Sequence, residues 1–166
     1  MLFRDSTDAD APAILGIYAH YVRHTTASFE TEPPDAGEIA RRRAEILAVG
    51  LPWLVAEADG VVTGYAYASR YRPRMAYRFT VEDSIYIHPE YAGKGIGSEL
   101  LVRLIAACEA WGARQMIAVI GGSDNVASIR LHARFGFRHA ATLDAVGYKF
   151  DRWVDSVLMQ RALGSG

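Results

Sequence analysis

The chain has only one cysteine, Cys108, among its 166 residues. A single cysteine cannot form a disulfide within the chain, so the sequence excludes the disulfide frameworks of small secreted proteins. No basic segment followed by an apolar run and a cleavage site stands near the start, and we therefore expect a cytoplasmic protein. Cys108 continues a helical apolar series at Leu100, Leu101, Leu104 and Ile105. This spacing predicts a buried packing thiol instead of a nucleophile.

The sequence also has almost no net charge, no internal repeat and no long apolar run. The 18 basic and 19 acidic residues give a formal charge of −1, which offers no general attraction to nucleic acid or to a membrane. With 166 residues and 51% hydrophobic content, the chain can bury one core but not two sizeable ones. We expect one domain over residues 1–166, ending in a short disordered tail, with a pocket for a small molecule.

A convincing group of metal ligands is lacking as well. His20 and His24 stand four residues apart on a predicted helix, and this spacing places two side chains on one face. A zinc site needs at least a third protein ligand, and no suitable residue stands out nearby. We expect a solvated or structural role for both histidines, and no metal.

Short strand-like and helix-like segments alternate along the chain, which predicts an α/β fold. MLFRDS predicts a first strand. Thr7 or Asp8 can cap the helix that follows it, and a second helix is expected after TEPPD. WLVAEADGVVTGYAYASRY predicts a hairpin, because ADG is turn chemistry between two apolar runs. YRFTVEDSIYIHP predicts another strand. The remaining predictions are a helix over 98–111, the strand QMIAVI, a helix from Asn125, and closing strands at GFRHAATL and VDSVLMQRAL.

The stretch IYIHPEYAGKGIGSELL joins a predicted strand to the next helix through Gly93, Gly95 and Gly97. Glycine permits positive φ and lets backbone N–H groups approach a ligand closely. A glycine-rich turn that opens a helix commonly binds anions, because the first helical N–H groups are unpaired. We therefore expect a phosphate group here. The glycines follow the spacing G-x-G-x-G, which matches neither the P-loop motif nor the dinucleotide-binding fingerprint.

From Ala92 to Gly97 the sequence AGKGIG resembles the cofactor motif (Q/R)-x-x-G-x-(G/A) of the GNAT superfamily of N-acetyltransferases, which binds the pyrophosphate of acetyl-CoA. Ala92 stands where the motif has Gln or Arg, so one side-chain contact is lost while the backbone N–H groups are kept. The later segment SDNVASIRLHARFGF is similar to the superfamily's Asn-containing helix and the strand after it. The branch that this chain resembles is the phosphinothricin and methionine sulfoximine acetyltransferases, on the segments TASFETEP, PWLVAEADGVVTGYAYASRYRPRMAYRFTVEDSIYIHPEY and AVGYKFDRWVDSVLMQ. This likeness runs from about residue 2 to 161.

This resemblance implies a GNAT fold, in which about four helices flank a mixed sheet of six to seven strands and a splayed strand pair holds acetyl-CoA. It implies a homodimer that acetylates the α-amino group of a small amino acid analogue of the phosphinothricin, methionine sulfoximine or methionine sulfone type. The alternatives are another small amine, a protein N-terminus, or an acyl-CoA-binding sensor without turnover. Four arginines near the expected pocket disfavour polycationic acceptors, because like charges would meet there.

Such a reaction needs a general base, because an ammonium must lose a proton before it attacks a thioester. Strict alternation along TVEDSIYI puts Asp83 on an apolar face and Glu82 on the opposite face. A carboxylate among apolar residues is costly unless it is paired or displaced by a bulge. Alternation alone therefore does not choose between the two. The resemblance favours Glu82, and an ion pair of Glu82 with Arg72 or Arg78 is the alternative.

The resemblance also indicates residues for the substrate. In SRYRPRMAYR, Arg72 matches the family's substrate-binding turn best and Arg74 is second. Arginine suits bidentate capture of a carboxylate or phosphinate. Lys149 and Phe150 match a segment near the family's substrate pocket, and an ordinary β-turn is the alternative for them.

His132 stands where the wider superfamily often has a tyrosine that protonates the departing thiolate. It is therefore a candidate acid. The alternative is a structural role, in which the ring hydrogen-bonds to the backbone and packs under Phe135. For acetyl-CoA, the resemblance implies contacts from a strand backbone, from the glycine turn and from the start of a helix. These residues are Ile85, Tyr86, Ile87, Gly93, Lys94, Gly95, Ile96, Gly97, Ser98, Asn125 and Ser128.

Overall fold

The computed structural model describes residues 1–165 and contains four α-helices and seven β-strands in that part of the chain. The helices are α1 (Ala11–His24), α2 (Ala36–Ala48), α3 (Ile96–Trp111) and α4 (Val126–Arg134). The strands are β1 (Leu2–Asp5), β2 (Trp53–Ala58), β3 (Val61–Arg70), β4 (Thr80–Ile87), β5 (Gln115–Gly121), β6 (Arg138–Lys149) and β7 (Arg152–Ala162). Short 3-10 turns lie at Asp8–Asp10, Met75–Tyr77 and Pro89–Tyr91.

All seven strands join one mixed sheet in the order β1-β2-β3-β4-β5-β7-β6. Each neighbouring pair is antiparallel except β4 and β5, which are parallel. Their pairing begins at Thr80 with Gln115 and stops at Asp83 with Ala118, although both strands continue. The two strands therefore separate over residues 84–87 and 119–121. The predicted mixed sheet with a splayed strand pair is confirmed.

Two apolar cores lie against the sheet. In one, α3 buries Leu100, Leu104 and Cys108 against residues such as Val81 and Met116. In the other, α1 and α2 pack on β2 and β3, with residues including Ile14, Ile17, Ile39, Trp53 and Tyr65. Removing this apolar surface from water is the main drive for the layered arrangement. Burial raises the pKa of the Cys108 thiol to about 12, which confirms the prediction of a packing residue.

Several element boundaries differ from the sequence predictions. Helix α3 begins at Ile96, two residues earlier than expected, because the left-handed residue Gly95 (φ 81°) ends the turn directly before it. Strand β6 continues past the predicted GFRHAATL to Lys149. Its pairing with β7 is irregular between Leu143 and Gly147. A β-bulge of this kind lets a strand continue through residues that break strict alternation.

The loop between α1 and α2 packs closely on the sheet at two glycines. A Cβ on Gly121 would lie 1.9 Å from the Thr26 carbonyl oxygen, and a Cβ on Gly147 would lie 2.5 Å from the Phe29 ring. No larger residue fits either position without moving the loop. The loop is therefore held over the end of β5, next to the point where β4 and β5 separate.

The C-terminal end is ordered through Leu163, whose side chain is buried and whose N–H donates to the Arg114 carbonyl. The predicted disordered tail therefore starts no earlier than Gly164, and Gly166 lies outside the described residues. That residues 1–166 form one domain stays a prediction. Within residues 1–165, no helix has the length and apolarity required to span a membrane.

Candidate active site

A cleft of about 520 Å³ opens where β4 and β5 separate. In this stretch the facing edges of the two strands are not paired with each other. Unpaired backbone groups of this kind are strong donors and acceptors for a bound amide. The cleft is lined by parts of both strands, the glycine turn and α4, including Ser84, Ile85, Tyr86, Ile87, Val119, Ile120, Gly121, Gly93, Gly95, Gly97, Ser98, Asn125, Ser128 and His132.

The glycine turn presents the N-terminus of α3 to this cleft. Gly93 (φ 76°) and Gly95 (φ 81°) are both left-handed, a conformation that only glycine adopts freely. Gly95 is the N-cap of α3, and no side chain caps the helix there. The first N–H groups of α3 therefore keep their positive end toward the cleft. A Cβ on Gly93 or Gly95 would meet nothing within 4 Å, so the space beside the turn is open to an anion.

Most residues predicted to bind acetyl-CoA lie together at the cleft. The exceptions among them are Lys94 and Ile96, which are not part of its lining. The Lys94 ammonium lies 4.6 Å from the centroid of the Tyr91 ring, and the Ile96 side chain is buried in the core. Only the backbone of Ile96 is therefore placed to contribute.

Asn125 begins α4 as its N-cap. Its Oδ1 accepts a hydrogen bond from the Ser128 backbone N–H at 3.3 Å, so Asn125 caps the helix. Asn125 and Ser128 both line the cleft as well. Capping and ligand contact are thus compatible at this position.

Glu82 lies on the opposite face of β4 from Asp83 and is half-buried. Burial raises the pKa of its carboxyl to about 7; the Asp83 charge adds to this shift and Arg72 opposes it. Among the described residues Glu82 forms no ion pair, since the Arg72 and Arg78 guanidinium groups lie over the rings of their neighbours in sequence. A carboxyl group that is half ionised near neutral pH has the proton affinity expected of a general base.

Asp83 is paired instead of being displaced by a bulge. The pairing of β4 with β3 is regular through Asp83, and Asp83 Oδ2 lies 2.9 Å from His132 Nε2. His132 Nδ1 lies 2.7 Å from the Ser128 carbonyl oxygen. Burial opposes the charged imidazolium, but the hydrogen bond and charge of Asp83 outweigh it and raise the His132 pKa. The backbone hydrogen bond of the alternative is therefore present, and the ring packs edge-on against Phe137, with ring centroids 5.0 Å apart.

The predicted substrate residues are spread more widely than the cofactor residues. Arg72 and Arg74 are exposed on the segment before β4, and Arg72 is close enough to lower the Glu82 pKa. Lys149 is buried, and its ammonium donates to the Ser28 carbonyl at 2.6 Å. Phe150 is half exposed in the turn after β6. The structure therefore places the Lys149 ammonium against the loop between α1 and α2, outside the cleft.

Sequence reasoning missed a layer of tyrosines beside Glu82. Tyr86 contacts both Tyr18 and Tyr21 of α1 with ring centroids 5.2 Å apart, and it lies 5.4 Å from Tyr65. The Tyr21 hydroxyl donates to the Ile87 carbonyl at 2.7 Å and lines the cleft. Tyr18 and Tyr21 are three residues apart on one helix, so helical spacing was the available signal.

Comparisons with known proteins agree with this geometry. The model described as Acetyltransferase (GNAT) family matches residues 14–137. The phosphinothricin N-acetyltransferase of Alcaligenes faecalis is 58% identical over 159 residues, covering 96% of this chain and 81% of that protein. The L-methionine sulfoximine/L-methionine sulfone acetyltransferase of Salmonella typhimurium is 44% identical over 164 residues, covering 98% and 95%.

Solved structures show the same architecture. A crystal structure of a GNAT superfamily phosphinothricin acetyltransferase from Sinorhizobium meliloti, in complex with AcCoA, superposes with a TM-score of 0.97. It is 48% identical and covers 99% of this chain and 89% of that one. The fold is therefore shared over nearly the whole chain. The chain belongs to the GNAT family of acetyltransferases.

Proposed function

We propose that the protein transfers the acetyl group of acetyl-CoA to the α-amino group of a small amino acid analogue. The observation that carries this proposal is the cleft between β4 and β5, which has an anion-binding helix terminus at one side and the carboxyl group of Glu82 nearby on β4. The relatives named for phosphinothricin, methionine sulfoximine and methionine sulfone support this substrate class.

The residues present fit acetyl-CoA. Its pyrophosphate suits the uncapped N–H groups that follow Gly95, where negative charge is favoured by the helix dipole. Its pantetheine arm carries amides, and the separated edges at residues 84–87 and 119–121 supply unpaired backbone groups to meet them. Asn125 and Ser128 add polar groups at the start of α4. Bound acetyl-CoA supplies the activated acetyl group, and the protein supplies position and proton transfer.

Glu82 takes the proton from the substrate ammonium, directly or through a water molecule. With a pKa of about 7, its carboxylate is available in neutral solution and its affinity for a proton is higher than that of an ordinary carboxylate. Holding the two reactants together contributes roughly 7–11 kcal/mol in favourable cases. One base contributes about 10²–10⁴-fold. Positioning is therefore the larger part of the catalysis.

Arg72 is proposed to hold the anionic end of the substrate. Its guanidinium lies close enough to Glu82 to lower the pKa of that carboxyl. It has no carboxylate partner among the described residues and is exposed. A guanidinium near the base would bind the carboxylate or phosphinate and leave the amino group toward Glu82.

Release of coenzyme A with a panel of acceptors tests the substrate class. We expect turnover with L-phosphinothricin, methionine sulfoximine and methionine sulfone, and no turnover with spermidine or a peptide N-terminus. Arg72→Ala should raise KM for the accepted substrates about tenfold or more, because a charge-assisted contact is worth roughly 1.5–3 kcal/mol. KM for acetyl-CoA should not change.

Arg138→Ala is the matched control, because Arg138 is exposed at the far edge of the sheet on β6. It should leave both KM values unchanged. Turnover with the peptide and none with the amino acid analogues would overturn the proposed substrate class. Equal KM values for wild type and Arg72→Ala would overturn the assignment of the anchor.

We also propose that the protein is a homodimer. Strands β6 and β7 and the turn between them expose a row of large apolar side chains that are 44–66% accessible, namely Leu143, Val146, Tyr148, Phe150 and Trp153. Tyr148 and Trp153 contact each other with ring centroids 5.0 Å apart. Several large exposed apolar side chains on adjacent strands are typical of an interaction site.

Sedimentation velocity should therefore give the mass of two 18.3 kDa chains. Trp153→Asp should shift the protein toward one chain, because it buries a charge in the interface. Val61→Asp is the control, since Val61 is similarly exposed at the β2–β3 turn. A wild-type protein that sediments as one chain at all concentrations would refute the dimer.

A cytoplasmic location completes the proposal. The single thiol, Cys108, is buried and unpaired, as is usual for proteins that need no oxidising compartment. Cell fractionation tests the location, and recovery of the protein outside the cytoplasmic fraction would contradict it.

A further inference from the structure

Asp83 occupies the point at which β4 and β5 separate. It is the last β4 residue paired with β5, opposite Ala118, and it lines the cleft. Its side chain is only 2% exposed and points to the apolar face that carries Val81. Its Oδ1 is buried with no hydrogen-bond partner among the described residues. An unpaired buried carboxylate oxygen destabilises a fold, so its place beside a reaction site calls for a functional reason.

His132 lies between two acceptors. Its Nδ1 is 2.7 Å from the Ser128 carbonyl oxygen, which can only accept, so Nδ1 carries a hydrogen. Its Nε2 is 2.9 Å from Asp83 Oδ2, which is a hydrogen-bond distance. One hydrogen must therefore also lie between these two atoms. With Asp83 ionised, that hydrogen belongs to Nε2 and the ring is an imidazolium. The pair thus holds one transferable proton in the wall of the cleft.

We propose that Asp83 is a positioning residue for the acetyl transfer, which keeps His132 fixed and doubly protonated where the coenzyme A sulfur departs. This inference rests on the proposed function and adds Asp83 to it. The carboxylate is placed to fix the ring orientation through Nε2, while the Ser128 carbonyl fixes it through Nδ1. An imidazolium can donate the Nε2 hydrogen to a departing thiolate, whereas a neutral ring whose hydrogen lies on Nδ1 has none to donate from Nε2.

The proton balance is complete without another reactant. When the C–S bond breaks, its electron pair stays on sulfur, and the Nε2 proton of His132 passes to that sulfur. Coenzyme A leaves as the thiol, His132 becomes neutral, and Asp83 stays a carboxylate. The substrate nitrogen loses two protons as the ammonium becomes an amide: Glu82 takes one before the C–N bond forms and the second as the tetrahedral intermediate collapses, and it passes both to solvent. His132 regains one proton from solvent, so each turnover releases one proton. For the transfer, the Nε2 hydrogen is shared between Asp83 Oδ2 and the coenzyme A sulfur, as in a three-centre hydrogen bond.

The other ionisable groups around the pair are few. On α3, Cys108 faces Asp83, and its thiol pKa is raised to about 12, so it is neutral. On β4, Glu82 lies on the opposite face and interacts with the Asp83 charge. Arg134 of α4 lines the same cleft. Glu82 is therefore the neighbouring group whose carboxyl pKa lies near neutral pH.

The first test is nitrogen-15 NMR of the histidine side chains, with His132→Gln identifying the His132 signals among the five histidines. In the wild type, both ring nitrogens of His132 should be protonated at neutral pH. In Asp83→Asn the ring should be neutral there, because the compensating charge is gone. A His132 that is neutral in the wild type, or that titrates identically in both proteins, overturns the proposal. The wild-type spectrum alone decides it if Asp83→Asn does not fold.

The second test is kinetic. Asp83→Asn and His132→Gln should each lower kcat by about 10²-fold, the lower end of the range for proton-transfer groups, with KM for acetyl-CoA unchanged. The double variant should be no slower than the slower single variant, because the two residues act as a unit. Additive losses would overturn the proposal.

Asp10→Asn is the matched control. Asp10 is also a buried carboxylate, ion-paired with Arg4 at 2.8 Å and absent from the cleft lining. It should lose stability while keeping kcat, and a loss of kcat equal to that of Asp83→Asn would show a merely structural effect and overturn the proposal. If the wild type acetylates no acceptor, the proposed function fails, while the NMR titration still decides the state of the pair.

Discussion

Replacing Glu82 with Gln is expected to lower kcat by about 10²–10⁴-fold, the usual contribution of a general base. The amide keeps the shape of the carboxyl group but cannot take the substrate proton. KM for acetyl-CoA should stay near its wild-type value, because Glu82 is not part of the cleft lining. Steady-state release of coenzyme A measures both constants.

The same variant should change the pH dependence. Glu82 must be ionised to act, and its pKa is about 7, so the wild-type rate should rise as the pH increases through 7 and then level off. The residual rate of Glu82→Gln should lack this rise. A rise near pH 7 that persists in the variant would assign the base to another group.

The stability of the folded protein should fall over the same pH range in which its activity rises. In the unfolded chain the carboxyl has its ordinary pKa of 4.5, and folding raises it to about 7. The folded state binds the proton more tightly, so this contribution to stability is present below about pH 4.5 and is lost as the pH rises through 7. Glu82→Gln should therefore be the more stable protein above pH 7, by about 1–2 kcal/mol after allowance for solvent screening.

Denaturation midpoints at acidic and neutral pH measure this difference. Glu57→Gln is the matched control, because Glu57 is a half-buried glutamate on β2, two strands away from β4, and pairs with Arg4 away from the cleft. It should keep kcat and should not gain stability at neutral pH. If Glu82→Gln keeps wild-type kcat, Glu82 is not the base.

Gly95→Ala is expected to raise KM for acetyl-CoA at least about tenfold, because a contact change of 1.4 kcal/mol corresponds to that factor. Gly95 has φ 81° and caps α3, and an alanine in this conformation is strained by roughly 1–2 kcal/mol. The strain is relieved by rotating the turn, which moves the N–H groups proposed to hold the pyrophosphate. Substrate saturation curves and direct binding of coenzyme A measure the effect.

Gly112→Ala is the control that separates the effect of backbone strain from an effect on acetyl-CoA binding. Gly112 is also left-handed (φ 101°) and caps the other end of the same helix, so the substitution introduces comparable strain far from the glycine turn. It should lower stability and leave KM for acetyl-CoA unchanged. Equal KM values for the two variants would show that the glycine turn does not hold the cofactor.

Much of the fold follows from local sequence patterns. The hairpin around ADG, the helix after TEPPD and the helix opened by Asn125 all form close to where they were predicted. Each is specified by a capping residue, a turn or an apolar period that acts over a few neighbours. The long β6 was not foreseen, because its irregular pairing between Leu143 and Gly147 depends on β7.

The candidate site was predictable only in part. The glycine turn carries a local conformational signature, so its position at a helix N-terminus could be inferred from Gly93 and Gly95 alone. The tyrosines beside Glu82 come from α1, β3 and β4, which are distant in sequence. No local pattern indicates that these side chains meet.

By itself, the sequence determined the α/β class, the order of the elements, the glycine turn and the face of β4 on which each carboxylate lies, because these depend on neighbours along the chain. Only the tertiary structure decided that β4 and β5 part after Asp83, that His132 of α4 lies within hydrogen-bond distance of Asp83, and that Glu82 is half-buried with no ion pair among residues 1–165. Burial and distant charges set the proton affinity of a carboxyl group. Both arise only when remote segments pack. The sequence alone therefore does not show how the surroundings of the adjacent residues Glu82 and Asp83 differ.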